Sequence, residues 1–465
     1  MPGFVRFIIL VSLAFAASCA STEKITEVAP SQLDPLAQQL AQKALNDQIA
    51  YQLTESLTMQ VGPRLAGSPG DKAAVAWGLR TLEQMGFNNV HTQTFAVPHW
   101  VRGETQVQIT APYPVELIAT ALGGSIGTGD SALDAEVLMT ETVETLNALP
   151  DSVVQGKIVF FNRRMQATKD GSGYGVAGRE RWSGAQNAVK KGALAVVIRP
   201  AGTSHHRFAH TGSMGQYDEA IGKIPAASLT NADADILAYA VQNAGDKPVK
   251  LRLKMTARYY PDEMSANVIG DIIGSEKPEE IVLLGAHLDS WDLGTGAIDD
   301  ASGIGIITAA AKIIKDSGIK PKRTIRLVYF GNEEFGLSGA REYARLHKDS
   351  PEQHIVGMES DFGAGQIWRF ASTLPESMLP LKEQIFKNIQ SLGVEMGNNE
   401  SGGGADLRPM REQGMPTYAF TQDGTKYFNY HHTADDTLDK VDIKDLQQNV
   451  AVYVVAVYLT AMSEF

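Results

Sequence analysis

The chain has 465 residues, of which 43% are hydrophobic and 20% are charged, and this balance excludes an intrinsically disordered protein. Against 53 Asp and Glu there are 41 Lys and Arg, and the resulting net charge of −12 excludes a protein that binds nucleic acid through a broad basic face. A single cysteine excludes an intramolecular disulfide framework and a cysteine-rich zinc module, but not a metal site built from His, Asp and Glu.

Residues 1–19 have the pattern of an export signal. Arg6 precedes an apolar run over residues 7–17, which is too short for a transmembrane helix of about 20 residues. Cys19 follows Ala16-Ala17-Ser18 and resembles the bacterial lipoprotein box, although Ala16 stands where Leu is usual. The alternative is ordinary signal cleavage with an incidental cysteine. We therefore predict an exported protein, either secreted or tethered to a periplasmic or outer-membrane surface through lipidated Cys19.

The length predicts two or three domains, and the pattern of predicted helices and strands changes near residue 120 and again near residue 258. Residues 20–32 form a polar linker, and residues 33–119 are predicted to begin the main domain with helices over 36–61 and 72–85 and a strand over 90–97. Residues 120–258 are rich in short β-type runs and turns and are predicted to form an inserted β-rich domain. No candidate metal ligand falls within the insertion, so we expect it to shield a cleft or aid assembly.

Residues 259–465 alternate between apolar strands and helices. Strands are predicted over 281–284, 324–330 and 354–358, and helices over 305–314, 338–346, 378–392 and 446–462. Continuous apolar strands that alternate with helices are typical of a parallel sheet covered on both faces. The predicted fold class is α/β, a mostly parallel mixed sheet with helices on both faces plus the inserted β-rich domain.

Residues that can bind metal or move protons cluster where the predicted strands end, the edge at which such sheets bind ligands. Each motif alone is weak evidence, because a His-x-Asp or a Glu-Glu pair is common in structural roles. Their shared position at the strand ends favours a functional site. The candidates are His287, Asp289, Asp299, Glu333, Glu334, Asp361, His431 and His432.

Two metal ions suit this set of side chains. If Asp299, Glu334 and Asp361 bind two Zn²⁺ together with neutral His287 and His432, the charges nearly cancel once hydroxide is bound. Five protein ligands fill two tetrahedral sites only if one ligand bridges, and a carboxylate can bridge where an imidazole cannot. Two metals about 3.5–4 Å apart can stabilise both the attacking and the developing oxygen of a hydrolysis.

The motifs HLDSWDLGTGAIDDASG, GNEEFGLSGA, MESDFG and HHTADDT resemble those of the M28-type di-zinc metallopeptidases, and SWD and MESD favour the carboxypeptidase Q subgroup. The resemblance covers most of the chain. The segment PRLAGS at residues 63–68 resembles the family's first helix–loop segment, and residues 120–258 resemble a protease-associated domain. The resemblance implies a zinc-exopeptidase-like fold, with the main domain of residues 33–119 and 259–465 as the peptidase domain.

The resemblance also implies a role for each site residue. One zinc would bind His287 and Asp361, the other Glu334 and His432, and Asp299 would bridge them. Asp289 would hydrogen-bond His287 and fix its tautomer, and Glu333 would act as general base and then as general acid. A Tyr often precedes the last ligand in this family, but here His431 does and Tyr430 stands one position further back, so the group that stabilises the oxyanion is left open.

The activity implied is hydrolysis of dipeptides or short peptides by an exopeptidase, whether aminopeptidase, carboxypeptidase or dipeptidase. Arg408 and Lys426 are the candidates for binding a substrate carboxylate. A homodimer is left open. Two other functions remain: a non-catalytic ectodomain of the same fold, which the complete ligand set opposes, and a single-zinc acyltransferase similar to glutaminyl cyclase, which would not need the insertion.

Overall fold

The computed structural model describes residues 33–215 and 217–465, together with Gly3. The export signal and lipidated Cys19 predicted within residues 1–19, and the linker predicted for residues 20–32, lie outside the described residues. Within the described part of the chain, no helix combines the length and apolar character needed to cross a membrane.

The strands of the described residues belong to two sheets. In chain order they are β1 (Asn88–Val101), β2 (Thr105–Ala111), β3 (Val115–Leu117), β4 (Ala119–Ala121), β5 (Leu133–Thr140), β6 (Ile158–Phe161), β7 (Ala195–Ile198), β8 (Ala226–Leu229), β9 (Lys250–Met255), β10 (Arg258–Ile272), β11 (Lys277–His287), β12 (Arg323–Phe330), β13 (His354–Glu359), β14 (Ile367–Thr373), β15 (Glu395–Met396) and β16 (Thr417–Gln422).

Helices connect these strands and cover the sheets. They are α1 (Pro35–Ala44), α2 (Ile49–Gln60), α3 (Pro69–Gln84), α4 (Val143–Asn147), α5 (Asp151–Val154), α6 (Ser172–Ala177), α7 (Arg179–Lys190), α8 (Asn231–Asn243), α9 (Ser302–Asp316), α10 (Ser338–Leu346), α11 (Leu379–Ile389), α12 (Arg408–Glu412), α13 (Tyr427–Tyr430) and α14 (Ile443–Met462).

The main sheet has the order β1-β10-β12-β11-β13-β16-β14-β15. Its central strands β12, β11, β13 and β16 run parallel, whereas β10 pairs antiparallel with β1 and β12, and β14 pairs antiparallel with β16. The central strands are almost fully buried, which explains their continuous apolar sequences. The predicted mostly parallel mixed sheet is confirmed.

Helices cover both faces of the main sheet. On one face, α9 lies against α2 and α14, and its side chains are buried nearly all round because it has neighbours on several sides. On the opposite face, Leu337, Ala340 and Tyr343 of the α10 region pack with Ile269, Val328 and Met410. This arrangement buries the sheet on both sides and leaves the strand ends to carry the site.

The first predicted helix, over residues 36–61, is wrong, because two helices occupy this region. α1 begins at Pro35. The side chain of Asp34, directly before it, accepts hydrogen bonds from the backbone N–H groups of Leu36 and Ala37. It ends before Asp47, whose carboxylate accepts a hydrogen bond from the Ile49 N–H at the start of α2. A side chain that satisfies the first N–H groups of a helix favours a break at that point.

The second sheet has the order β3-β2-β9-β5-β6-β7-β8-β4. This sheet includes strands that precede residues 120–258, the range predicted for an insertion, since β2 and β3 pair with each other and β2 pairs with β9 along its length. The end of the sheet lies at Met255, and β10 from Arg258 onward belongs to the main sheet. We call residues 105–255 the second-sheet region.

Candidate functional site

The parallel strands of the main sheet end at one edge, and the candidate residues gather there. β11 ends at His287, opposite the Phe330 end of β12, and Gly285 lies opposite Glu359 at the end of β13. A loop that carries candidate ligands follows each of these three strands directly. The three loops begin close together, because the strands end at the same edge of the sheet. The sequence therefore placed these residues at the correct edge.

Asp299 lies at the centre of the cluster. Its Oδ1 is 3.1 Å from His287 Nε2, and its Oδ2 is 3.3 Å from His432 Nε2. His287 Nε2 also lies 3.4 Å from Asp361 Oδ1, and His432 Nε2 lies 3.0 Å from Glu334 Oε2. The five residues predicted as metal ligands thus form two groups that share the Asp299 carboxylate.

His431, the other member of the His-His pair, also lies at the cluster. Its ring stacks on the His432 ring with centroids 3.5 Å apart, and its Nε2 is 3.5 Å from Asp299 Oδ2. Burial and the neighbouring positive charge of His432 lower the pKa of His431 well below its ordinary value. His432, unlike His431, is also close to Glu334, which favours His432 as the ligand and His431 as a neutral neighbour.

Asp289 hydrogen-bonds His287 through its backbone oxygen rather than through its carboxylate. His287 Nδ1 is 3.0 Å from the Asp289 backbone oxygen, whereas the nearest carboxylate oxygen is 3.7 Å away. The carboxylate instead accepts hydrogen bonds from the backbone N–H groups of Glu333, at 3.0 Å, and Glu334, at 3.3 Å. Asp289 therefore orients His287 through its backbone and holds the Glu333-Glu334 turn through its side chain.

Glu333 faces the same cavity as the cluster. This cavity has a volume of about 280 Å³, and Asp299, Glu334, Asp361 and His432 also line it. Burial, together with the negative charge of Asp361, raises the pKa of the Glu333 carboxyl well above its ordinary value. A carboxylate with a raised pKa accepts a proton more readily at neutral pH, as a general base must.

The donor set fits divalent metal ions. Asp299 Oδ2 and Glu334 Oε1 are buried and have no hydrogen-bond partner among the described residues. His287, Asp299 and Asp361 offer atoms close enough to share one cation, and Asp299, His431 and His432 form a second such group. Burying a carboxylate oxygen without a hydrogen-bond partner costs free energy, and a cation bound at these positions would offset this cost of desolvation.

In the absence of a metal, the two candidate histidine ligands hold protons instead. Burial alone would lower the pKa of His432, but Glu334 and Asp299 outweigh it and raise the pKa to about 9. For His287, Asp361 and Asp299 likewise outweigh burial and raise the pKa well above its ordinary value. The cluster therefore binds positive charge in either form.

Two buried residues fix the loop that carries Asp299. Arg64 donates hydrogen bonds to the backbone oxygens of Leu288, at 2.6 Å, and Gly296, at 2.9 Å. Asp436 accepts hydrogen bonds from the backbone N–H groups that precede Asp299, at residues 297 and 298. The sequence had signalled Arg64 only as part of a motif, and it gave Asp436 no role.

Two backbone positions at the site adopt the left-handed conformation without being glycine. Asn332, just before Glu333, has φ 60°, and His432 has φ 63°. Such conformations are strained for most residues and persist where the surrounding contacts enforce them, often at functional sites. Here the contacts are the Asn332–Ser338 side-chain hydrogen bond and the bonds from the second-sheet region to His432.

The second-sheet region holds His432 in place. The Thr211 N–H donates to the His432 backbone oxygen at 2.9 Å, and His432 Nδ1 lies 3.3 Å from the Thr211 oxygen. His210 Nδ1 lies 2.8 Å from the His431 backbone oxygen. The second-sheet region thus orients a candidate ligand through Nδ1 and the backbone, so that the Nε2 atom faces the cluster.

Arg102 anchors the loop around Thr211. It donates to Thr211 Oγ1 at 2.8 Å and pairs with Asp292 near the start of the metal-site loops. We expect Arg102→Gln to lower the affinity for divalent metal by about 10- to 100-fold, because supports of metal ligands typically contribute this much. Competition with a chelating indicator measures the affinity, and the exposed Arg258→Gln is the control. Equal affinities in wild type and Arg102→Gln would contradict this role.

The walls of the cavity come from both sheets. Tyr174, Arg181 and Trp182 contribute from the second-sheet region, and Tyr427, Phe428 and Ala405 contribute from the main domain. Tyr430, the tyrosine that the sequence left as an oxyanion candidate, lines a neighbouring cavity with Lys440 instead. Tyr427 and His431 therefore lie closer to the cluster than Tyr430 does.

The glycine-rich loop at residues 401–406 reaches the cavity at Ala405. The backbone N–H groups of Asp406 and Leu407 donate to the Glu359 carboxylate at 3.3 and 3.1 Å. A Cβ on Gly404 would lie 2.2 Å from Glu359 Oε2, so only glycine permits this approach.

Trp291 is buried and packs edge-on against the His432 ring, with the ring centroids 5.7 Å apart. This position supports a packing role for Trp291 rather than a contact with substrate.

Comparisons with known proteins agree with this geometry. Residues 267–457 match the model of peptidase family M28. The bovine carboxypeptidase Q (Bos taurus) is 35% identical over 413 residues, which cover 89% of this chain and 85% of the relative. A zinc aminopeptidase from Bacillus subtilis has a TM-score of 0.66 at 21% identity, covering 90% of this chain and 95% of that one, and shares the fold.

A solved peptidase M28 precursor from Shewanella amazonensis SB2B gives a stronger match. It is 43% identical, with a TM-score of 0.89, and the alignment covers 92% of this chain and 97% of that chain. Identity at this level over nearly the whole of both chains extends the resemblance from the strand-end motifs to both sheets. The chain therefore belongs to peptidase family M28 and is a peptidase.

Proposed function

We propose that this protein is a di-zinc metallo-exopeptidase that hydrolyses dipeptides or short peptides. The observation that supports this most is the position of Asp299, whose two carboxylate oxygens face His287 and His432 separately. A cavity of about 280 Å³ lies at the small end of ligand pockets, which favours a short substrate over an extended polypeptide.

The residues that would hold the metals divide into two sets around a shared carboxylate. His287 and Asp361 would bind one Zn²⁺, Glu334 and His432 would bind the other, and Asp299 would bind both. When bound, the two ions would polarise the substrate carbonyl and lower the pKa of a bound water. The Glu334 Oε1 atom supports this assignment, because it is buried and has no hydrogen-bond partner among the described residues.

Glu333 would move the proton that peptide hydrolysis requires. Its carboxylate would accept a proton from the attacking water, because its buried position beside Asp361 favours the protonated form. The same carboxyl would then donate this proton to the nitrogen of the leaving amine, and the carbon–nitrogen bond would break. The Asp289 carboxylate would keep Glu333 in position through the Glu333 backbone N–H.

Hydrolysis of a small substrate panel tests the proposed activity. We expect the zinc-loaded protein to cleave unblocked dipeptides and to lose this activity when a chelator removes the metal. An amino-blocked peptide and an aminoacyl anilide in the same panel distinguish carboxypeptidase from aminopeptidase specificity. Absence of cleavage of every member by the zinc-loaded protein would contradict the proposal and favour a non-catalytic role for the fold.

Zinc binding should release protons. Despite burial, the neighbouring carboxylates raise the pKa of His432 to about 9 and also raise the pKa of His287, so both side chains favour the protonated form in the metal-free protein. A histidine must be neutral to bind zinc, so we expect zinc binding at pH 7 to release protons. Calorimetry in buffers of different ionisation enthalpy measures the release, which should fall as the pH rises through about 9. Buffer-independent enthalpies at pH 7 would contradict the prediction.

Two further assignments complete the proposal. The sequence of residues 1–19 supports export, with Cys19 as the site of lipidation and membrane tethering. We also propose that the second-sheet region is the inserted protease-associated-like domain, because the chain leaves the main sheet after β1 and returns to it with β10. Mass spectrometry of the mature amino terminus tests the first assignment, because it would detect an acylated Cys19.

A further inference from the structure

Aromatic side chains separate the catalytic cavity from the larger cavity beside it. The neighbouring cavity has a volume of about 570 Å³, against about 280 Å³ for the catalytic cavity, and Tyr427 lines both. Phe362 lines the catalytic cavity, whereas Ala364, two positions further along the chain, lines the neighbouring one. We call Phe362 and Tyr427 the partition. Its role in substrate selection rests on the proposed peptidase function of the site.

The Phe362 ring is held between two glycines. A Cβ on Gly171 would lie 2.4 Å from Phe362 Cζ, and a Cβ on Gly424 would lie 2.8 Å from the same atom. A side chain at either position would collide with the ring, so glycine permits this close packing. The rings of Tyr427 and Phe428 also pack against Phe362, with centroids 5.2 and 5.9 Å away. The ring is therefore fixed in the cavity wall.

A segment of the second-sheet region packs against the partition from the outside. The Lys169 backbone oxygen accepts a hydrogen bond from the Gly424 N–H at 2.9 Å. The Lys169 ammonium lies over the ring of Trp368, 4.4 Å from the ring centroid. Tyr174, further along this segment, stacks on Phe428 with centroids 4.9 Å apart. These contacts hold the second-sheet region against the main domain beside the catalytic cavity, so the partition is supported on both sides.

The partition begins next to the metal cluster. Asp361 directly precedes Phe362, and Asp361 Oδ1 lies 3.4 Å from His287 Nε2. Each residue of an extended peptide adds about 3.3–3.6 Å, so a longer substrate soon meets the Phe362 ring. A peptide that reached the neighbouring cavity would have to displace this ring. A fixed, bulky side chain that excludes larger ligands is a common source of specificity.

We propose that Phe362 limits the substrate to dipeptides by closing one end of the catalytic cavity, and that the neighbouring cavity would accept a further residue if the ring were absent. Lys426 and Arg408, which the sequence offered for binding a substrate carboxylate, are both exposed, and Lys426 lines the neighbouring cavity. A dipeptide confined to the catalytic cavity would therefore not reach Lys426.

A dipeptide and a tripeptide, each followed by its initial rate of loss in chromatography, test this role. The zinc-loaded wild type should hydrolyse Ala-Leu with a kcat/KM at least about tenfold above that for Ala-Ala-Leu, because pockets that select by size discriminate by this much. Phe362→Ala should bring the two values within about threefold, mainly by raising kcat/KM for the tripeptide, and Phe362→Leu should give an intermediate ratio. Phe465→Ala, which removes an exposed ring at a different cavity, should keep the wild-type ratio.

Equilibrium binding gives a readout that does not depend on turnover. In zinc-loaded Glu333→Gln, calorimetry should show tighter binding of Ala-Leu than of Ala-Ala-Leu, and adding Phe362→Ala should remove this difference. Metal analysis of each variant shows whether Asp361, next to Phe362, still binds its ion. If Phe362→Ala lost zinc, the ratio in Phe362→Leu would decide the role of Phe362.

Two results would overturn the role of Phe362 while leaving the peptidase function intact. One is equal kcat/KM values for the two peptides in the wild type, and the other is an unchanged ratio in Phe362→Ala with both metals bound. Failure of the wild type to hydrolyse either peptide would instead overturn the proposed function. The binding comparison in Glu333→Gln would then decide the role of Phe362.

Discussion

Replacing Glu333 by Gln is expected to lower kcat by about 10²- to 10⁴-fold while the protein keeps its metal ions. The amide retains the size of the carboxyl group and the backbone N–H bond to Asp289, but it cannot accept a proton from water. KM for a dipeptide should change little, since Glu333 is expected to act on the proton rather than to bind the substrate. Steady-state kinetics and metal analysis of the same preparation measure both effects.

A matched variant separates this loss from a general effect of removing a negative charge. Glu342→Gln, in α10, removes a partly exposed carboxylate that pairs with Arg345 outside the site and should leave kcat within about twofold. If Glu333→Gln retained kcat within a few-fold of wild type, another group would have to move the proton. Loss of metal from Glu333→Gln would show that Glu333 is a ligand instead.

Asp299→Ala should have the second large effect, because this carboxylate faces both groups of ligands. We expect the variant to hold fewer than two zinc ions per chain and to lose at least as much activity as Glu333→Gln. Zinc should also stabilise the wild type against unfolding, by about 4 kcal/mol at a free concentration 1,000-fold above Kd. Most of this stabilisation should disappear in Asp299→Ala, whereas it should persist in Glu333→Gln.

The control for Asp299→Ala is Asp316→Ala, which removes an exposed carboxylate at the end of α9 that pairs with Lys312. Thermal unfolding with and without zinc, followed for the three proteins, gives the comparison. Full retention of both metals by Asp299→Ala would show that the shared carboxylate is not needed, and the division of the ligands around Asp299 would be wrong.

The parts of the structure that the sequence predicted well are those governed by local patterns. The helix predicted for residues 338–346 has those bounds in the structure, and the strand predicted for 324–330 differs by one residue. Turn residues bound both segments, and the strand is a continuous apolar run. The position of the candidate ligands followed, because parallel strands that share an edge bring their following loops together.

The parts that the sequence did not predict depend on contacts between distant residues. β2 alternates buried and exposed positions with polar Thr and Gln on one side, and only its pairing with β9 assigns it to the second sheet. Thr211 and His432 are 221 residues apart, and no local pattern links them. The role of the Asp289 carboxylate was likewise missed, since residue type alone does not distinguish a backbone from a side-chain hydrogen bond.

The most direct test of the central claim is anomalous scattering from crystals of the active, purified protein, recorded on both sides of the zinc absorption edge. Two zinc peaks are predicted in each chain, one beside His287 and Asp361 and one beside Glu334 and His432, with the Asp299 carboxylate in contact with both. A single peak, or fully active protein without any metal peak, would contradict the account.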